Sequence, residues 1–180
     1  MKNYNFNVKL KKSVSYTATV SVLIIIVGYL LPEKHVLPVE GSSNWDWKSA
    51  AFWERRGTSV HKGIDIFVKR KGIHAISSTN GIVIYNGKLS LGGNVIFILG
   101  PRWKIYYYAH LERSFVVLGE IVNVSEKIGL VGNTGNAVKT PAHLHFQIMT
   151  LIPFIWRWDD SPQGWKKMFY LNPDEVLSNK

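Results

Sequence analysis

The sequence predicts a mainly β protein: one antiparallel β-sheet domain preceded by a single apolar N-terminal helix. Three observations predict it. An uncharged aliphatic stretch stands near the N-terminus, and beyond residue 50 short β-branched runs alternate with glycine-containing turns. With 46% of its 180 residues hydrophobic, the chain can also bury one real core and little more.

Residues 1–13 form a basic segment holding Lys2, Lys9, Lys11 and Lys12. From Val14 to Leu31 no residue is charged, and Val20, Val22, Leu23, Ile24, Ile25, Ile26, Val27, Leu30 and Leu31 are aliphatic. At about 1.5 Å per residue such a helix approaches the roughly 30 Å of a hydrocarbon core. Residues 14–31 are therefore expected to be a transmembrane helix or signal anchor ended by Pro32. The lysines before it place the N-terminus in the cytoplasm and everything after about residue 32 outside. The expected location is the inner, or cytoplasmic, membrane, single-pass, with the domain periplasmic or otherwise extracytoplasmic. A cleaved signal peptide has similar charged and apolar regions, but no A-x-A-like site follows Leu31. A buried core helix fits poorly, since the stretch is apolar nearly all round.

Residues 32–50 contain Pro32, Pro38, Gly41, Ser42 and Ser43, which predicts a loosely ordered linker. Residues 51–180 are the domain. Its expected strands are Ile64 to Val68, Gly81 to Tyr85, Asn94 to Leu99, Lys104 to Tyr108, Phe115 to Leu118 and Leu144 to Met149. Strands of about five residues between turn signals argue for an antiparallel arrangement over a parallel βαβ one.

Lys and Arg number 22 against 12 Asp and Glu, for a net charge of +10, which suits an anionic partner. No nucleic-acid-binding motif accompanies that charge, so no nucleic-acid partner is expected. The chain has no cysteine, which excludes disulfides, thiolate metal sites, a cysteine nucleophile and a lipidated cysteine anchor.

The chemistry lies in the histidines. In His61-Lys62-Gly63-Ile64-Asp65 two metal-ligating residue types stand four apart, and Gly63 followed by Ile64, Ile66 and Val68 argues for extended chain, on which an even offset keeps both on one face. His143-Leu144-His145 does the same with an offset of two, sending Leu144 and Phe146 to the opposite face. A catalytic zinc takes three protein ligands and leaves a fourth position for water, and His61, Asp65 and one of His143 and His145 supply that number. Such a site suits amide hydrolysis, with His110 and the remaining histidine free to move protons or stabilise an oxyanion. His35 falls in the linker and His74 has no matching partner in the sequence, so neither is assigned to the site.

The pattern as a whole resembles the lysostaphin-like, or LytM-domain, zinc metallopeptidases that cleave peptidoglycan peptides. The resemblance runs from about Arg56 to Leu177. It rests on His61-Lys62-Gly63-Ile64-Asp65-Ile66, Ala75 with Asn80-Gly81-Ile82-Val83, Gly93-Asn94-Val95-Ile96, Tyr108-Ala109-His110-Leu111, Gly129-Leu130-Val131-Gly132-Asn133-Thr134-Gly135, His143-Leu144-His145-Phe146 and Leu171-Asn172-Pro173. It implies an antiparallel β fold with a groove over one zinc ion (Zn2+), held by His61, Asp65 and His145, with His110 and His143 as the catalytic histidines. It also implies a peptidoglycan peptide substrate; the membrane contact through the N-terminal helix is expected from the apolar stretch Val14 to Leu31. A catalytically silent relative that binds wall or activates an amidase is the alternative, although such relatives typically lack a ligand and this chain lacks none.

Three departures stand out. Gln147 occupies a position where the family usually has an acid, which puts tuning of the metal in question. Ser125-Glu126 replaces the usual Gly-Gln and affects a turn. An aromatic insertion, Phe154 to Tyr170, holds Trp156, Trp158, Trp165 and Phe169. It is expected to form a hairpin or loop closing over the core, with a lip beside the groove or a surface on the membrane interface as its functional readings. The glycine-rich segment 129–135 is expected to be a turn shaping one groove wall.

Overall fold

The structure, a computed structural model, describes residues 2–43, 51–70 and 72–178, with the backbone alone over 2–13. Helix α1 runs from Lys2 to Leu30 and stops before Pro32, whose ring disfavours helical backbone at the residue preceding it. Its aliphatic side chains from Val22 to Val27 are exposed. Among the described residues no helix is long and apolar enough to cross a membrane. The structure thus contains the expected helix without establishing that it crosses a bilayer.

The end of α1 docks on the domain. The Trp103 indole donates to the Ile25 carbonyl at 3.0 Å, and a Cβ at residue 28 would fall 2.2 Å from that indole nitrogen, so only glycine permits the approach. Just beyond, Glu33 accepts from Lys104 Nζ at 2.7 Å and from the Tyr106 hydroxyl at 3.0 Å, with His35 at 3.3 Å and Arg102 at 3.4 Å. Burial alone would raise this carboxyl, but hydrogen bonds from His35 and Lys104 hold it down to about 2.

Residues 32–43 are not the loose linker that their composition suggests. Their backbone pairs with the domain, Val36 N–H donating to Ser78 O at 3.0 Å and Ile76 N–H to Pro38 O at 2.9 Å. Val39 bridges Ala75 and is buried, and Leu37 packs on the core. The apolar residues between the prolines make a strand-like edge segment that gains more from burial than from chain freedom. Residues 44–50 of the expected linker lie outside the described residues.

The domain follows as β1 (Arg55–Arg56), β2 (Ser59–Val60), β3 (Ile64–Phe67), β4 (His74–Ile76), β5 (Gly81–Leu89), β6 (Gly93–Leu99), β7 (Lys104–Ser114), β8 (Ile121–Val122), β9 (Lys127–Val131), β10 (His143–Thr150), β11 (Tyr170–Leu171) and α2 (Pro173–Ser178). β1 and β2 form a small hairpin; the rest make one antiparallel sheet whose main path is β11-β10-β7-β6-β5-β8. β3 lies against the start of β10, and β9 joins β4 to β7. Leu144, Phe146 and Ile148 alternate along β10 and pack with Ile64, Ile66, Tyr106 and Tyr108 in the main core. The opposite face of β7 carries Tyr107 and Ala109 with Val95 in a smaller cluster.

Two local expectations differ. Phe115 to Leu118 is loop, because Phe115, Val117 and Leu118 are exposed and only Val116 reaches the core. The Glu120 carboxylate accepts the Val117 N–H at 2.8 Å and closes a turn there. Gly129 to Val131 belongs to β9, the missing side chain of Gly129 letting Arg113 O come close, so only the later part of the glycine-rich segment is irregular. The aromatic insertion takes the loop form of its expectation, two short 3-10 turns, Ile155–Arg157 and Gly164–Met168, linking the paired strands β10 and β11. Phe154 packs on the core while Trp156, Trp158 and Trp165 remain exposed.

Candidate metal centre

The register of three strands assembles the site. On β10, His145 stands directly opposite Asp65 of β3 on one side and Ala109 of β7 on the other. The approach of β3 to β10 depends on Gly63, where a Cβ would lie 2.2 Å from Phe146 O and 2.7 Å from Gln147 Cγ. His61 precedes β3 and is held by backbone bonds to the β1–β2 hairpin region, its N–H donating to Glu54 O at 2.8 Å.

His61 Nε2, His145 Nδ1 and Asp65 Oδ1 converge: the two ring nitrogens lie 3.0 Å apart, and the carboxylate oxygen lies 3.1 Å from the first and 2.7 Å from the second. The Nδ1–H of His61 donates to the Ala51 carbonyl at 2.8 Å, which leaves Nε2 with its lone pair toward the cluster. The outward oxygen of Asp65 is paired with Arg56 at 3.0 Å. Burial alone would raise the Asp65 carboxyl, but the adjoining His145 and His61 side chains hold it far below the usual carboxylate range. Burial pushes the His145 imidazole down to about 4. At neutral pH Asp65 is therefore a carboxylate and His145 a neutral imidazole, the protonation states in which these groups bind a metal. Two nitrogens and one oxygen converging in this way, partly buried, fit zinc by donor chemistry as well as by number.

His110 and His143 stand beside this cluster, their rings 4.9 Å apart and that of His110 5.9 Å from His145. Each donates from Nδ1 to a backbone carbonyl, His110 to Thr134 at 2.9 Å and His143 to Pro141 at 2.9 Å. His110 has φ +62°, the left-handed region uncommon for a side chain of its size. Its N–H donates to Gly92 O at 2.8 Å, one of the contacts that hold the strained backbone. Burial, with His143 nearby, lowers its pKa. All five side chains line one open groove of about 800 Å³, together with Arg56, Tyr107, Asn136 and Gln147.

The structure therefore brings together every residue that the sequence nominated. What sequence reasoning missed is the set behind them. Arg56 and Thr134 carry no spacing signal, because each acts through contacts made by the fold. His74, set aside for want of a partner, is paired with Glu40 at 2.6 Å, away from the site.

Residues 59–155, more than half of the chain, match the description of peptidase family M23. The chain belongs to peptidase family M23. Among curated M23-related proteins, peptidoglycan DD-endopeptidase ShyA of Vibrio cholerae is 31% identical over 108 residues, which are 60% of this chain and 24% of that protein. Murein hydrolase activator NlpD of Escherichia coli is 34% identical over 110 residues, 59% of this chain and 28% of that protein. The chain thus spans about a quarter of the length of these relatives. Among solved structures, the catalytic domain of the antimicrobial peptidase lysostaphin from Staphylococcus simulans superposes with a TM-score of 0.54 at 26% identity, over 67% of this chain and 80% of that one. M23 membership and the lysostaphin-like antiparallel fold agree with the resemblance drawn from the motifs.

Proposed function

We propose that this M23 chain is a zinc-dependent endopeptidase that hydrolyses peptide cross-links of bacterial peptidoglycan. The observation that carries the reading is the convergence of His61 Nε2, Asp65 Oδ1 and His145 Nδ1 beside the His110–His143 pair in one groove. The ShyA relative supports the substrate class.

His61, Asp65 and His145 hold the metal. A zinc ion held there would supply a Lewis acid for the scissile carbonyl and would make the attacking water more acidic. His110 and His143, whose Nδ1 protons are committed to backbone carbonyls, act through Nε2. One takes the proton of the attacking water at Nε2 and passes it to the departing amine, while the other, in its imidazolium form, donates its Nε2–H to the oxygen that gains charge. The open groove takes an extended peptide across these groups.

A second reading is favoured by the NlpD relative: a catalytically silent factor that binds wall or activates an amidase. The complete set of five side chains weighs against it. Incubation of full-length protein with cross-linked peptidoglycan, followed by mass analysis, separates the two. Conversion of cross-linked to uncross-linked muropeptides, abolished by His143→Ala, supports the endopeptidase. Zinc-loaded protein that leaves all cross-links intact supports the silent factor.

The chain is further read as single-pass in the inner, or cytoplasmic, membrane, with α1 as anchor and the domain extracytoplasmic. Supporting this are the uncharged stretch Val14 to Leu31, its exposed aliphatic side chains and the lysines before it. Because Trp103 and Glu33 hold the helix end, the domain works close to the lipid surface. Retention in the membrane pellet after alkaline carbonate is expected; release into the supernatant contradicts the anchor.

A further inference from the structure

We infer that Gln147 is a positioning residue for His145, the acceptor that keeps the proton on its Nε2 and thereby turns the bare Nδ1 toward the metal. The inference rests on the zinc-peptidase reading and adds to it the group that decides how firmly the third ligand binds.

Each candidate ligand has one polar atom facing the cluster and one facing away. The outward atom of His61 meets a backbone carbonyl, which can only accept, so the tautomer of that ring is fixed. The outward oxygen of Asp65 meets the Arg56 guanidinium, which can only donate and leaves the inward oxygen free. The outward Nε2 of His145 meets the amide NH2 of Gln147, the two nitrogens 2.6 Å apart. An amide has a donor end and an acceptor end, exchanged by half a turn about its last bond. With the NH2 turned to the ring, Nε2 accepts, Nδ1 carries the proton and donates to Asp65, and His145 offers no lone pair to a metal. With the oxygen turned to the ring, Nε2–H donates to Gln147 and Nδ1 is free to ligate.

Residue 147 is therefore the one outward partner able to support both the metal-free and the metal-ready arrangement. It is also closely placed: the backbone of Gly63 passes so near that a Cβ there would lie 2.7 Å from Gln147 Cγ. Glutamine supplies the accepting oxygen without a second negative charge beside Asp65.

The test compares zinc affinity in full-length wild type, Gln147→Met and Gln147→Glu by competition with a chelating dye. Two-bond proton–nitrogen NMR of the zinc-loaded wild type locates the His145 proton. Loss of an acceptor behind a metal-bound histidine weakens the metal about 10–100-fold, and that loss is expected for Gln147→Met. Gln147→Glu, which keeps an accepting oxygen, is expected to retain zinc as wild type does, with the NMR proton on Nε2. Unchanged affinity in Gln147→Met overturns the inference. So does a Gln147→Glu as weak as Gln147→Met, a result that remains decisive if the methionine variant folds poorly. Wild type that binds no zinc overturns the peptidase reading and this inference together, whereas wild type that binds zinc with Gln147→Met unchanged overturns this inference alone.

Discussion

His110 and His143 face each other across 4.9 Å, each with its Nδ1 proton donated to a backbone carbonyl, of Thr134 and Pro141 respectively. The two rings come from β7 and from the first residue of β10, yet share one tautomer and one groove. Their roles should separate from those of the ligands. His110→Ala and His143→Ala are expected to keep one zinc per domain while muropeptide release falls about 10²–10⁴-fold, the usual scale for loss of a positioned acid or base. Metal content and turnover measured on the same sample check this; loss of zinc in parallel with activity would contradict it.

Asp65→Ala should behave differently. Its inward oxygen bridges both ligating histidines, and its outward oxygen neutralises Arg56. The variant is expected to lose zinc and activity together, and the thermal stabilisation that zinc gives the wild type should disappear. Differential scanning fluorimetry with and without added zinc provides the measurement.

Gly63→Ala tests the strand approach that builds the site. A methyl group at 2.2 Å from Phe146 O must push β3 from β10 and carry Asp65 away from His145. A loss of about 1–3 kcal/mol is expected from overpacking, with weaker zinc binding, although residue 63 is no ligand. Unaltered zinc affinity would show that the two strands need not meet so closely.

Glu33 supplies a pH test of the docked helix. Its carboxyl is brought from an ordinary 4.5 to about 2, so its stabilisation is complete above 4.5 and is lost as the pH falls from there through about 2. Glu33→Gln leaves Lys104 buried without its anion and is expected to cost about 3 kcal/mol at neutral pH. The gap between the melting temperatures of wild type and variant should close on acidification to about 2. A gap that persists unchanged at that pH would exclude the carboxylate as its source.

The alternation of Leu144, Phe146 and Ile148 was legible because one residue in two faces a core, and the same period put His143 and His145 on the other face. The offset in His61-Lys62-Gly63-Ile64-Asp65 was legible for the same reason. β4 and β9 were not anticipated as strands, since each is short and only a partner distant in sequence makes it one. The linker was misjudged because Pro32, Pro38 and Gly41 mask an apolar edge at Leu37 and Val39 that shows itself only against Ala75. Arg56 acts through Asp65, and no local pattern encodes that relation, whereas Gln147 was marked in the sequence by its departure from the family's usual acid.

X-ray absorption on the zinc-loaded full-length chain tests the convergence of ligands most directly. The account predicts one zinc with two imidazole nitrogens and carboxylate and water oxygen at about 2.0–2.2 Å, a spectrum unchanged in His110→Ala and collapsed in His145→Ala. A chain that takes up no zinc, or a spectrum indifferent to His145 and altered by His110, would contradict it.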